Sequence, residues 1–275
     1  MLRHPADEPA PRGPEVLGSM GAAHGDRLYV PGSSPIHRLA PQCKILSTVL
    51  FVVAVVAAPR EQFWAFAMFG VLLVAMAMLA RLPMLVMARR LTIELPFVAF
   101  ALALPFVAEG PRHDVGPFSL SMDGSWGAWN ILVKGTLGVA AGLIVSATTT
   151  VPDLIRGLDR LRMPAPLIAM LTFMVRYADV IVDEMRRMRI ARLSRGHDPR
   201  WFWQVRAVAQ SAGTLFVRSY ERGERVFLAM QSRGYDGAMP SAGGTSASPG
   251  RWTAALVLPA IAVVVTTASW VARAR

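Results

Sequence analysis

The chain has 275 residues, of which 53% are hydrophobic and only 17% charged, and it carries a net charge of +11. An average globular domain has about 25% charged residues, so this composition favours a membrane protein with basic cytoplasmic faces over an ordinary soluble domain or a nucleic-acid-binding protein. A single cysteine, Cys43, cannot form an intrachain disulfide and is too little for a cysteine-built metal site. Disulfide-stabilised secreted scaffolds, zinc ribbons and iron-sulfur proteins are therefore excluded.

The N-terminal region, residues 1–36, is rich in proline, glycine and charged residues. It lacks the apolar core of about 7 to 15 residues that a secretory signal peptide needs. We expect it to be a disordered tail.

Five apolar segments predict membrane-spanning helices, since a bilayer core of about 30 Å requires about 20 mostly apolar helical residues. We therefore expect an all-α, polytopic membrane protein. A linker rich in glycine, serine and proline, residues 239–251, precedes the last segment. The segments are residues 45–58, which residues 39–44 can extend, 63–80, 91–108, 128–151 and 252–271.

Orientation follows from the positions of arginine and lysine in the short loops. The segment before the first span and the loop between the second and third spans are basic, whereas the loop between the first two spans is charge-balanced and residues 109–125 are net acidic. The N-terminus and the region after residue 151 are therefore predicted to be cytoplasmic. With five spans, Arg273 and Arg275 lie on the outer side of the membrane, although arginine and lysine are usually enriched on the cytoplasmic side.

Two charged residues fall inside the predicted spans. Glu94 lies near one end of the third span and Lys134 near the start of the fourth. Because a charge in the bilayer is costly, we expect both side chains to reach the interface in preference to forming an ion pathway. The fourth span also carries small residues that suit close helix contacts in lipid, at Gly135, Gly138, Ala141 and Gly142.

The segment 152–238 forms a predicted cytoplasmic module. Residues 152–236 contain 15 arginines, no lysine and 9 acidic residues. A short helix to Arg162 precedes two long helices, one from Leu167 and one over about residues 201–232, each with apolar residues at helical spacing on one face.

Both long helices end in the same tripeptide. Residues 194–196 and 232–234 both read Ser-Arg-Gly. One copy is explained by a glycine that stops the helix beside a favourably placed arginine. Two copies on adjacent basic helices favour a binding role, since an arginine at a helix end presents a planar set of donors to another protein.

In several segments the sequence resembles the transmembrane coupling subunit of energy-coupling factor transporters, close to its cobalt and nickel branch, the CbiQ proteins. Residues 37–46 resemble the start of that family's first span, although Ala40 and Gln42 replace an aspartate and an arginine. Residues 189–196, with Arg176, Tyr177 and Glu184, resemble the first coupling helix, and residues 218–226 and 229–237 the second. The resemblance covers roughly residues 37–271.

The resemblance implies four spans, a cytoplasmic module of coupling helices and a closing span. It also implies that the protein works in a prokaryotic cell membrane with two ATP-binding cassette ATPase subunits and a separate substrate-binding membrane subunit, importing cobalt or nickel. By resemblance, Arg195 and Arg233 contact the ATPase subunits. The predicted coupling residues are therefore Ser194, Arg195, Gly196, Ser232, Arg233 and Gly234.

No catalytic constellation is recognisable in the sequence. It has no phosphate-binding loop of the Gly-x-x-x-x-Gly-Lys-Ser/Thr type. The histidines are dispersed, and His197 followed by Asp198 is typical of a loop pair. We therefore expect a non-enzymatic subunit without a cofactor or metal of its own. The histidines are His4, His24, His37, His113 and His197.

Two alternatives remain open. A permease of another importer class would carry its own substrate site, commonly at broken helices, and Pro96 and Pro105 in the third span are the hint of that. A membrane-tethered nucleic-acid binder is the weakest reading, because acidic residues are interspersed with the arginines at helical spacing.

Overall fold

The computed structural model describes residues 28–108, 111–115, 118–196, 205–235, 237 and 248–274. These residues form two compact units, which are described separately. The membrane unit contains Leu28–Arg162 and the C-terminal helix, and the paired-helix unit begins at Met163. Residues 1–27 of the predicted tail and most of the predicted linker lie outside the described residues.

The elements follow one another in the order that the apolar pattern predicts, with one short hairpin added. In the membrane unit they are α1 (Pro41–Ala57), α2 (Phe63–Leu79), α3 (Met84–Arg90), a 3-10 turn (Leu91–Glu94), α4 (Leu95–Val107), β1 (Arg112–Val115), β2 (Phe118–Ser121), α5 (Met122–Thr148), α6 (Val151–Arg160) and α9 (Pro249–Ala274). The paired-helix unit contains α7 (Ala165–Ser194) and α8 (Val205–Gln231).

Local sequence explains several helix starts. Proline occupies the first turn of α1, α4, α6 and α7, where its missing N–H needs no partner. Ser121 caps α5 by accepting from the backbone N–H of Gly124 at 3.3 Å, and Thr150 caps α6 by accepting from that of Asp153 at 3.3 Å. Because Pro96 lies in the first turn of α4, it starts a helix and does not kink one. The third span is interrupted by the 3-10 turn that precedes α4.

All five predicted spans lie on helices. The third span, formed by α3, the turn and α4 over Met84–Val107, is long and apolar enough to cross a membrane, as are α5 and α9. Helices α1 and α2 have 17 residues each, or about 26 Å, at the short end of the range for a spanning helix. By length and composition α7 also qualifies, because its N-terminal half is apolar.

Helix α1 lies at the centre of the membrane unit. It packs along α9 and against α5 and α6, while α2 packs on α5 and α9. Phe51 and Phe69 are fully buried where α1 meets α2, with their rings edge to face at 5.9 Å. Ala262 of α9 is also fully buried, so α1 and α9 approach each other closely through small side chains.

One end of α1 joins the C-terminal end of α9. The indole Nε1 of Trp270 donates to the carbonyl oxygen of Ala57 at 3.0 Å. Arg273 forms an ion pair with Glu61 in the α1–α2 loop, at 3.5 Å. The C-terminal ends of α1 and α9 therefore lie on the same side of the unit, as five spans require. Glu61 also offsets the charge of Arg273, which the orientation rule disfavours on the outer side.

At the other end of α1, a buried lysine holds three segments together. Lys44 is 7% exposed, and its Nζ donates to the carbonyl oxygen of Thr148 at 2.8 Å and to Oγ1 of Thr149 at 3.1 Å. It also donates to the carbonyl oxygen of His37 at 3.4 Å. Lys44 thus fixes the end of α5 against the start of α1.

The segment before α1 is packed, which differs from the tail predicted for residues 1–36. Ser34 and Ile36 are buried, and the N–H of Val30 donates to the carbonyl oxygen of Ala147 at 2.9 Å. His37 bridges Ser34 and the carbonyl oxygen of Val30 at 2.7 and 3.0 Å. The prediction of disorder rested on amino-acid composition, which contains no information about contacts with distant residues such as Ala147.

A β-hairpin lies where the sequence predicted only a loop. Strands β1 and β2 pair antiparallel, with Arg112 opposite Ser121 and Val115 opposite Phe118. The described residues are therefore helical apart from this hairpin and short connections.

Glu94 is the clearest error among the span predictions. The helical span begins at Met84, so Glu94 stands ten residues from its start and thirteen from its end at Val107. Glu94 is 8% exposed, and its carboxylate accepts from the Thr136 hydroxyl at 2.8 Å. The side chain therefore does not reach an interface. The hydroxyl of a neighbouring helix provides a partner that the sequence pattern did not identify.

Lys134 behaves differently. Its Nζ is exposed, donates to the carbonyl oxygen of Val56 at 2.7 Å and lies 6.0 Å from the ring centre of Phe66. It therefore caps the last turn of α1, where the carbonyl groups of a helix end favour a cation.

Candidate functional site: the ends of the paired helices

The end of α7 exposes the first predicted arginine. Gly196 adopts a left-handed φ of +76°, and its N–H donates to the carbonyl oxygen of Leu193 at 3.0 Å. The hydroxyl of Ser194 donates back to the carbonyl oxygen of Ile190 at 3.0 Å. Arg195 is exposed at the turn between them. His197 and Asp198, which follow, lie outside the described residues.

The end of α8 repeats this arrangement. Gly234 has a φ of +82°, and its N–H donates to the carbonyl oxygen of Gln231 at 3.0 Å. The N–H of Tyr235 returns to the carbonyl oxygen of Met230 at 3.1 Å. The hydroxyl of Ser232 donates to that of Ala229 at 3.0 Å, and Arg233 is exposed.

The two tripeptides share a division of roles. Each serine bonds to the preceding turn, and each glycine adopts the conformation that an L side chain resists. Neither Arg195 nor Arg233 has a side-chain partner among the residues that the structure describes. Each helix end therefore presents an exposed guanidinium group beside a glycine, which has no side chain of its own and no described neighbour within 4 Å of an added Cβ.

An ion-pair bridge joins the two helices. Arg187 donates to one carboxylate oxygen of Glu184 at 2.7 Å, and Arg218 of α8 donates to the other at 2.5 Å. Asp183 stands four residues before Arg187, a spacing that also allows an ion pair on a helix. The structure pairs Arg187 with Glu184, because that carboxylate is also the one that faces α8.

An apolar groove lies between α7 and α8 next to this bridge, with a volume of about 350 Å³. Met174 in its wall is 67% exposed, although it stands on the predicted apolar face of α7. The apolar faces of the two helices therefore meet only in part. The groove is lined by Met174, Tyr177 and Ile181 from α7 and Leu215, Val226, Phe227 and Met230 from α8.

Sequence reasoning found the two helix ends but missed the bridge. Glu184 and Arg218 are 34 residues apart, so no spacing rule connects them. Both residues belong to segments that resemble the family's coupling helices, and this shared resemblance was the signal that could have connected them.

The described part of the chain contains no group of three or more histidine, cysteine, aspartate or glutamate side chains able to hold a metal ion. His37, within that part, is hydrogen-bonded in the segment before α1.

Comparison with known proteins agrees with this architecture. The family of the cobalt transport protein CbiQ matches residues 32–242. The energy-coupling factor transporter transmembrane protein EcfT of Thermanaerovibrio acidaminovorans is 30% identical over 238 residues, which cover 82% of this chain and 86% of that protein. The EcfT protein of Thermosediminibacter oceani is 26% identical over 222 residues, covering 76% of this chain and 83% of that protein.

A fused protein is also similar. A cobalt transport protein named CbiMQ in Methanocorpusculum labreanum is 25% identical over 215 residues, which cover 75% of this chain and 36% of the fused protein. The matched region includes four of the five predicted spans and both Ser-Arg-Gly helix ends. This chain is therefore a multi-pass membrane protein that belongs to the CbiQ family of cobalt transport proteins.

Proposed function

We propose that this chain is the transmembrane coupling subunit of an ATP-driven energy-coupling factor importer for cobalt ions. The observation that carries the proposal is the pair of exposed arginines, Arg195 and Arg233, at two helix ends of the same construction. In this role the chain passes motion from an ATPase pair to a separate membrane subunit that binds the ion.

The chemistry of the two helix ends fits ATPase docking. A guanidinium group offers several donors in one plane to carboxylates or backbone carbonyls, and hydrogen bonds to such a charged group are stronger than neutral ones. The open glycines, Gly196 and Gly234, let a partner surface approach closely. Two separate ends match two ATPase subunits, each binding one.

The connection between the helices suits transmission of force. Glu184 bonds Arg187 on its own helix and Arg218 on the other, so a push on either helix end reaches the other helix. The groove beside this bridge contains Met174 and Met230, and methionine tolerates repacking because its side chain is flexible. Closure of the ATPase pair would then change how the groove packs against the substrate-binding subunit.

Cobalt is supported as the cargo by the CbiQ family and by the fused CbiMQ relative. We assign the metal ion to the other membrane subunit, because imidazole and thiolate ligands are not grouped in the sequence of this chain. The chain itself is proposed to be non-catalytic and to hold no cofactor.

The orientation completes the proposal. The paired-helix unit and the start of α1 face the cytoplasm of a prokaryotic cell, where the ATPases reside. The basic segment before α1 and the loop between α2 and α3 support this orientation, through Arg38 and Arg81. The ion pair of Arg273 with Glu61 supports an outward C-terminal end for α9.

The test combines Arg195→Ala with Arg233→Ala in a complex co-expressed with both ATPase subunits and the substrate-binding subunit. We expect recovery of the ATPases on an affinity-tagged chain to fall at least about tenfold, since truncating an interface arginine removes a dominant contact. Uptake of radioactive cobalt should be lost in parallel.

Arg206→Ala is the matched control, because Arg206 is exposed near the start of α8, far from the end that carries Arg233, and lies outside residues 218–226. It should retain both ATPase binding and uptake. Uptake at the wild-type level in the double variant would reject the docking role of the two arginines.

A further inference from the structure

A second groove lies in the membrane unit, between the third span and α5. Its volume is about 110 Å³. Phe97 on its rim is 65% exposed, so the groove opens on the outer surface of the helix bundle. The lining is apolar apart from one carboxylate and one hydroxyl, and includes Glu94, Phe97, Val98, Ile131, Gly135 and Thr136.

Glu94 is only half satisfied in this groove. Its Oε2 accepts from the Thr136 hydroxyl at 2.8 Å, whereas Oε1 has no partner among the residues that the structure describes. The nearest cation in sequence, Arg90, donates instead to the carbonyl oxygen of Leu28 at 2.7 Å. A carboxylate in this position is costly without a further partner, because lipid offers no hydrogen bond.

Small residues keep the space beside that oxygen open. A Cβ atom added at Gly135 would lie 3.7 Å from Oε1 of Glu94. Further along α5, a Cβ at Gly138 or Gly142 would have no neighbour within 4 Å. Ala141, by contrast, is buried inside the unit. Gly138 and Gly142 are therefore not used for packing within the described part of the chain, and they leave room for another helix backbone.

Both residues of the polar pair lie near the middle of their spans. Glu94 is ten residues from the start of the third span, and Thr136 is fourteen from the start of α5 at Met122. At this depth the missing partner of Oε1 is most simply a side chain of another transmembrane helix.

We propose that this groove receives a transmembrane helix of the substrate-binding membrane subunit, and that a hydroxyl or amide side chain of that helix hydrogen-bonds to Oε1 of Glu94. The inference rests on the proposed function, which supplies the second membrane subunit. A second copy of this chain fits the groove less well, since a symmetric contact would bring two Glu94 carboxylates together in a medium of low dielectric constant.

The experiment measures how much substrate-binding subunit is recovered with the tagged chain in detergent, relative to the ATPase pair in the same complex. Glu94→Leu removes both hydrogen bonds, and we expect recovery of the membrane subunit to fall about tenfold, as for a strong interhelical polar contact. Glu94→Gln keeps a hydrogen-bonding group on both sides and should retain the subunit.

Gly135→Leu tests the groove with Glu94 intact, because the new side chain fills the space beside Oε1. It should also lose the membrane subunit. Gly70→Leu is its matched control, since Gly70 on α2 has no neighbour within 4 Å of an added Cβ and lies outside the groove. That variant should bind the subunit as the wild type does.

Each outcome has a distinct meaning. Retention of the membrane subunit by Glu94→Leu or by Gly135→Leu overturns the inference, and its loss in Glu94→Gln overturns the hydrogen-bond basis in favour of a charge or bound cation. If the wild-type chain fails to recover the ATPase pair, the proposed function itself fails.

Discussion

The membrane unit and the paired-helix unit both expose many apolar side chains, but only the membrane unit also has a dense core. Phe51 and Phe69 are fully buried there, and Ala262 of α9 belongs to the same cluster of buried side chains. In the described part of the paired-helix unit, only Ile168 and Ala169, near the start of α7, are buried. Apolar exposure is therefore combined with a dense core in the first unit, whereas in the second it is combined with a groove between two helices.

Polar groups differ between the units in the same way. The membrane unit buries them in bonds across elements, such as Lys44 with Thr148, or the hydroxyl of Thr266 with the carbonyl oxygen of Ala54 at 3.0 Å. The paired helices are joined by exposed ion pairs, which salt screens and which contribute little to stability. We therefore expect stability to be concentrated in the membrane unit, while the ends of the paired helices stay exposed.

The largest effect on this contrast is expected for Lys44→Met. Without the ammonium group, the buried carbonyl of Thr148 and hydroxyl of Thr149 lose their shared donor, at a cost on the order of 3 kcal/mol. Thermal unfolding of the purified chain in detergent should show a clearly lower transition temperature. Lys44→Arg, which keeps a donor, should recover part of the loss, and an unchanged transition in Lys44→Met would show that the buried lysine is not a structural anchor.

A smaller loss is expected for Gly124→Ala at the start of α5. A Cβ there would lie 2.5 Å from the carbonyl oxygen of Leu104 and 2.9 Å from Cα of Pro105, so the backbone of α4 has to move. Overpacking of this kind costs about 1 to 3 kcal/mol.

Gly70→Ala on α2 is the control for this variant. It meets no neighbour and should gain up to about 1 kcal/mol, because alanine favours a helix more than glycine does. Equal unfolding temperatures for the two variants would contradict the close approach of α4 and α5.

The smallest effect on stability is expected for Gly234→Ala at the end of α8. The left-handed φ of +82° costs a side chain roughly 1 to 2 kcal/mol, and the strain stays local because the helix end is exposed. Hydrogen exchange should accelerate over residues 228–235 while the overall unfolding temperature stays near that of the wild type.

Gly213→Ala, within α8 and also free of neighbours, should instead leave exchange at the helix end unchanged. Hydrogen exchange over residues 228–235 that is as slow in Gly234→Ala as in the wild type would indicate that the turn does not depend on glycine.

The two Ser-Arg-Gly ends show how far local sequence rules extend. Glycine after a helix predicts a left-handed stop, and both Gly196 and Gly234 have it. No local rule predicts that Glu184 bonds Arg218 across 34 residues, or that Glu94 meets Thr136 across 42. These pairs depend on which helix faces lie together.

Apolar periodicity and glycine act over a few neighbouring residues, so they suffice to predict the five apolar helices, the two long arginine-rich helices and the positions where these stop. The partners of the polar groups depend on how the helices pack. Lys44 is buried among acceptors from α5 and from the segment before α1. Glu94, which the sequence placed near the end of a span, lies near the middle of one, and one oxygen of its carboxylate faces an open groove. The reason is physical: in an apolar surrounding a polar group must find its partner on another element, and that partner is set by packing across the fold.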